Sequence, residues 1–93
     1  MIAITFRQSP KLAARIRALA KVWKTTQAWV IRRALRMVGL VVPPAPPGEM
    51  FGLTKPRQLC LPPDLLHSLE VLEARSGLCR SELIRRAIYQ VYG

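Results

Sequence analysis

Apolar and polar residues alternate over Ala3-Ile4-Thr5-Phe6-Arg7-Gln8, and this period of two, with β-branched and aromatic members, predicts a strand. Ser9-Pro10 then supplies a helix cap followed by proline at the first helical position. Leu12, Ile16, Leu19 and Trp23 follow at helical spacing with bases on the other faces, which predicts a helix and assigns Trp23 to the core. Thr25-Thr26 interrupts that pattern. Thr26 is placed to cap a second helix whose apolar face is Val30, Ile31, Ala34, Leu35 and Val38, with Gly39 as its stop. The same order then returns. Arg57-Gln58-Leu59-Cys60-Leu61 reads as a strand, and Pro62-Pro63-Asp64 opens a helix carrying Leu65, Leu69 and Leu72. Gly77 suits a left-handed helix end, and Cys79-Arg80-Ser81-Glu82 has the form of a capping box with cysteine in place of serine. A last helix carries Leu83, Ile84, Ala87, Ile88 and Val91.

The two halves hold one register at an offset of 53 residues. Ile31-Arg32-Arg33-Ala34-Leu35 returns as Ile84-Arg85-Arg86-Ala87-Ile88, Pro10 falls on Pro63, Leu12 on Leu65, Leu19 on Leu72 and Val38 on Val91. Each copy, residues 1–39 and 55–93, is near the size below which a chain rarely builds its own core, so the two are expected to fold together as one domain over 1–93. Between them, residues 40–54 form a linker with four prolines in five positions, a semi-rigid spacer. At ~3 Å per residue it would reach on the order of 40 Å.

Composition narrows the partners. Half the residues are apolar (51%) but only 6% are aromatic, so the core is aliphatic, and the net charge is +10. Residues 1–40 hold nine bases and no acid, whereas residues 55–93 hold six bases and four acids. A basic surface with so little acidic balance points to a polyanion, nucleic acid before membrane. No stretch approaches the ~20 apolar residues of a membrane span, and residues 37–45 are too short and broken by Pro43-Pro44. The acid-free N-terminus has the composition of a transit peptide, a reading set aside because the same residues recur as fold positions in copy two. Cys60 and Cys79 read as reduced thiols of a cytoplasmic protein. No cofactor or metal site is expected: the lone histidine, His67, has no partner at ligand spacing and reads as a surface residue. An enzyme is not expected, since the chain has no Ser/His/Asp set and no phosphate-binding glycine loop, and four of its five acids are scattered on helices.

The run Leu61-Pro62-Pro63-Asp64-Leu65-Leu66, continued by Ser76-Gly77-Leu78-Cys79-Arg80-Ser81-Glu82-Leu83-Ile84-Arg85-Arg86-Ala87-Ile88, closely resembles the pattern of the ribbon-helix-helix (Arc/MetJ-type) DNA-binding family. Copy one departs from it: Gln8-Ser9-Pro10 replaces the leucine-proline start, and Lys24 stands where the glycine between the helices belongs. The resemblance implies a mainly α fold with a short two-stranded antiparallel β-ribbon, normally built by two intertwined subunits. With both copies in one chain, it implies a tandem ribbon-helix-helix forming an intramolecular pseudo-dimer. The ribbon of such a protein enters the DNA major groove, which admits an element of that width.

Strand alternation divides the side chains independently. If Ile4, Phe6, Leu59 and Leu61 pack on helices, Thr5, Arg7, Gln58 and Cys60 face outward. The resemblance assigns these four to base reading, with Ala3 and Pro56 as weaker outer positions. Arg7 suits guanine O6/N7, Gln58 suits adenine N6/N7, and Thr5 suits a thymine methyl or a phosphate. Cys60 offers at most an apolar contact or a weak hydrogen bond; it reads first as a small space-filling residue and last as a redox-sensing thiol. The resemblance also sets the starts of the second helices against phosphates: Thr26, Gln27 and Ala28 in copy one, Cys79, Arg80 and Ser81 in copy two. Free N–H groups and the positive dipole end supply the physical reason, and plain helix capping is compatible with it. Trp29, standing in place of the capping-box acid, is expected to be exposed or to cover the linker, and at least one arginine of each Arg-Arg pair is expected to be solvated.

These readings favour a sequence-specific double-stranded DNA-binding protein, a transcriptional repressor that occludes its site. The alternative keeps the fold but makes it a DNA-bending or site-marking accessory factor for a relaxase, partition or recombination complex, a role in which tandem chains resemble TraY-type conjugation proteins. An antitoxin is disfavoured because the chain ends at Gly93, directly after the last fold helix. A membrane-active amphipathic peptide is disfavoured by the acids of copy two. Self-association on adjacent sites is compatible with the reading; a small-molecule substrate is not called for. The copies agree at core positions and differ at Thr5 and Arg7 against Gln58 and Cys60, so an asymmetric site is expected, gripped more on the copy-one side.

Overall fold

Alternation carries each strand only as far as its inward residues find a core. The computed structural model describes residues 1–45 and 56–92 and gives β1 (Ile2–Phe6), α1 (Pro10–Val22), α2 (Gln27–Val38), β2 (Arg57–Leu61), α3 (Pro63–Ser76) and α4 (Arg80–Tyr92). The chain is thus mainly helical with one two-stranded antiparallel sheet. Ile2 pairs with Leu61, Ala3 with Cys60, Ile4 with Leu59, Thr5 with Gln58 and Phe6 with Arg57. Thr5 therefore lies opposite the residue 53 positions further on, its own counterpart in the repeat. Ile4, Phe6, Leu59 and Leu61 are buried, as the alternation predicts. Gln8 has the same parity and is buried too, but it lies past the end of β1, where the chain turns toward the start of α1.

The helix ends follow the local chemistry. The Ser9 hydroxyl accepts the Leu12 N–H at 3.1 Å with Pro10 opening α1, and the Thr26 hydroxyl accepts the Trp29 N–H at 3.1 Å at the start of α2. Gly77 ends α3 at φ 72°, donating to the Glu73 carbonyl at 2.9 Å. Its counterpart Lys24 takes the same left-handed region at φ 52°, although its Cβ makes that conformation costly. Gly39 ends α2 at φ 63°.

The core forms where α2 and α4 pack together, with α1 against α2 and α3 against α4. Val30, Ile31, Ala34 and Leu35 meet Leu83, Ile84, Ala87 and Ile88 there, flanked by Leu12, Ile16 and Ala20 and by Leu65, Leu69 and Leu72. Each fully buried valine, leucine or isoleucine among these contributes ~2 kcal/mol of transfer free energy. At the helix termini one core assignment is corrected and one core residue is added. Trp23 is not core but 40% exposed, because α1 stops at Val22 and Trp23 is its C-cap residue. Tyr92, which helical spacing did not select, is buried and donates its hydroxyl to the Val30 carbonyl at 2.7 Å, tying the end of α4 to α2. Leu19, Val38 and Val91 are only partly buried against this core.

The start of the linker is held too, with the Leu40 carbonyl accepting from Arg75 at 3.1 Å and the Pro43 carbonyl from Arg86 at 3.4 Å. The rest of the predicted polyproline spacer, from residue 46, lies outside the described residues.

Candidate nucleic-acid interface

The sheet has helices on one side only, so its other side presents whatever the pleat turns outward. Those side chains are Ala3 opposite Cys60 and Thr5 opposite Gln58, all exposed, with Arg7 and Pro56 exposed just beyond the strands. Directly opposed side chains on such a ribbon stand about 5 Å apart, so Thr5 and Gln58 form the centre of a small contiguous face. The face is lopsided: Arg7, its one cation, sits beyond the end of β1.

Each strand is fastened by the second helix of the other copy. Arg32 of α2 donates to the Cys60 carbonyl at 3.1 Å, and Arg85 of α4 donates to the Arg7 carbonyl at 3.0 Å. Arg32 and Arg85 are counterparts in the repeat, as are Arg7 and Cys60, so this is one interaction made twice. Both bonds hold the backbone of an outward residue and leave its side chain free. Arg57, the residue opposite Phe6, is exposed and donates to Gln27 Oε1 at 2.7 Å, a further tie between β2 and α2.

Behind the ribbon the halves differ. Arg85 is buried and pairs with Glu82 at 2.8 Å, while Arg86 reaches the other Glu82 oxygen at 3.0 Å. Burial pushes the Glu82 carboxyl up, but the hydrogen bonds and charges of Arg86 and Arg85 outweigh it and hold its pKa below the ordinary value of 4.5. The capping-box reading of Glu82 is corrected accordingly, since both carboxylate oxygens are engaged by these forward arginines. Neither Arg-Arg pair contains a fully solvated member, another correction: Arg86, Arg32 and Arg33 are all half-buried. Arg33 lies over the Trp23 ring at 5.1 Å, and Trp23 meets Trp29 and Tyr92 edge-on at 6.0 Å each. Trp29 is 43% exposed.

Of the six residues at the second-helix starts, Arg80 is the one set beside the outward pair Thr5 and Gln58. It lines an open depression with Ala3, Ile4, Thr5 and Gln58, and is steadied by Glu73 at 2.6 Å. Thr26 is occupied as a cap and Gln27 by Arg57, while Ala28 packs against the core. Cys79 is exposed and its carbonyl accepts the Leu83 N–H at 3.1 Å; Ser81 is half-buried. Sequence reasoning passed over Arg57 and the stripe Trp29, Arg32, Arg33 and Arg36, although the three- and four-residue spacing of that stripe is visible in the chain. Among the described residues no three His, Cys, Asp or Glu side chains gather as a metal site, and no helix is long and apolar enough to cross a membrane. His67 and Cys60 are exposed.

Comparison of the chain with protein-family models, with curated proteins and with solved structures returns no match.

Proposed function

We propose that this chain is a sequence-specific double-stranded DNA-binding protein, a tandem ribbon-helix-helix folded as an intramolecular pseudo-dimer, acting in the cytoplasm as a transcriptional repressor. The observation that carries the proposal is the open face of the ribbon. It presents Thr5, Arg7, Gln58 and Cys60 around the Thr5–Gln58 pair, where each strand faces its own repeat counterpart. A local two-fold of that kind matches the local dyad of a duplex, and a two-stranded ribbon matches the width of the major groove. The reciprocal bonds from Arg32 to Cys60 and from Arg85 to Arg7 support the pseudo-dimer, because each half completes the other. In this reading Arg7 and Gln58 read base edges, Arg80 and the helix starts position the backbone, and binding needs no cofactor.

The test is selection of bound duplexes from a randomised pool, then footprinting and affinity titration at several salt concentrations. The expected outcome is a short preferred site, asymmetric about its centre, with affinity falling steeply as salt rises. Arg7→Ala and Gln58→Ala should each relax preference at one position and cost ~1–3 kcal/mol of discrimination. Recovery of no preferred sequence would sink the proposal, and recovery of a perfect palindrome read equally by both halves would refute its asymmetry.

A further inference from the structure

The four residues that follow one another along the outer face of α2, Trp29, Arg32, Arg33 and Arg36, correspond in α4 to Glu82, Arg85, Arg86 and Tyr89. In α4 the acid closes the stripe upon itself: both carboxylate oxygens of Glu82 are taken by Arg85 and Arg86. In α2 a tryptophan replaces that acid, and its ring turns edge-on to Trp23. The three arginines of α2 therefore have no carboxylate on their own helix. Arg32 spends one donor of its guanidinium on the Cys60 carbonyl, Arg33 lies over Trp23, and Arg36 makes a 3.2 Å pair with Asp64 in which both side chains are more than half exposed. Such an exposed pair is weak and readily exchanged for a stronger anion. The four residues line a common recess, and the Arg32–Cys60 bond sets it directly beside the outward face of the ribbon.

We infer that this α2 stripe is a DNA-backbone site, in which Arg33 and Arg36, aided by Arg32, hold phosphates flanking the copy-one side of the bound duplex. Guanidinium forks are matched to phosphate oxygens, and a tryptophan wall holds Arg33 in place without neutralising it. The corresponding stripe of α4 has no such capacity, because Glu82 occupies its arginines. This site rests on the DNA-binding reading above and adds contacts that neither the ribbon nor the helix starts supply.

The experiment uses the full chain and its selected duplex, with affinity measured by fluorescence anisotropy across a salt series. Arg33→Gln/Arg36→Gln should flatten the log-affinity against log-salt slope by ~2, so that the loss of affinity between roughly 50 and 200 mM salt is ~10-fold smaller. Trp29→Glu, which restores the acid of copy two, should flatten the slope in the same direction. Arg17→Gln/Lys21→Gln, an equal loss of charge from the exposed surface of α1, should leave the slope near that of the unaltered chain. Circular dichroism confirms that each variant is folded. Phosphate-ethylation interference should show additional essential phosphates on one flank, lost in the Arg33→Gln/Arg36→Gln variant. If that variant behaves like the α1 variant, the stripe is not a phosphate site while the DNA-binding reading stands. If the unaltered chain binds no duplex, both fall together.

Discussion

Arg32 and Arg85 reach for equivalent carbonyls of opposite strands, at 3.1 and 3.0 Å, yet Arg85 is only 7% exposed while Arg32 is half-buried. What separates them is one residue a turn earlier. Glu82 draws Arg85 and Arg86 into a closed network, whereas Trp29 stacks away and leaves its arginines facing outward. Equivalent stretches of backbone thus hold their charges differently: copy two ties its arginines together through one carboxylate, and copy one leaves its arginines without an acid on their own helix. The helix ends show the same division, with Gly77 relaxed in a conformation that Lys24 holds under strain.

The comparison is broken most forcefully at the arginines. Arg85→Ala should destabilise the fold by about 2–4 kcal/mol, because it strips the buried partner from Glu82 and from the Arg7 carbonyl. Arg32→Ala should cost less than about 1 kcal/mol. Urea midpoints measure both, and equal losses would show that the burial difference is without consequence. Tyr92→Phe comes next, with an expected loss of about 1 kcal/mol from the Val30 carbonyl left without its hydroxyl; thermal unfolding reads it. Its repeat counterpart is Gly39, so copy one has no equivalent bond to lose.

Lys24→Gly should stabilise by ~0.5–1 kcal/mol, and Gly77→Ala should destabilise by a similar amount through backbone conformation alone. No atom lies within 4 Å of a Cβ added at Gly77, so packing does not confuse the second measurement. The gentlest test is pH. The folded pKa of Glu82 is lowered, so its contribution is fully present above the ordinary value of 4.5 and is lost as pH falls through the folded pKa. Glu82→Gln should make the acid limb of the stability curve shallower, and an unchanged limb would remove Glu82 from the account.

Most of the architecture could be read from periodicity. The inward set Ile4, Phe6, Leu59 and Leu61, the caps at Ser9 and Thr26 and the stop at Gly77 all depend on neighbours a few residues away, which sequence spacing reports. The misreadings share an opposite cause. Trp23 continued the spacing of α1 numerically, but the helix stops one residue short of it. Arg85 and Arg32 stand in identical Ile-Arg-Arg-Ala contexts, and only tertiary packing distinguishes a buried guanidinium from a half-buried one. For the candidate interface, the outward ribbon residues lie where alternation assigns them. The Gln27 side chain accepts from Arg57, a partner 30 residues away that no local pattern announces.

The register of the ribbon also bears on how the molecule assembles in time. Ile2 finds Leu61 and Phe6 finds Arg57, so the sheet requires chain segments some fifty residues apart to meet. Helices form within their own span, but this pairing must first close a long loop, and topologies with distant pairings fold more slowly than those built from near neighbours. The ribbon shares this requirement with the packing of α2 on α4, so sheet and core both wait on the meeting of the two halves. Because loop closure depends only logarithmically on length, doubling the connection between the halves would cost only about 0.6 kcal/mol. The distance between the copies along the chain is thus a lenient parameter, and the alignment of the two strands is the strict one.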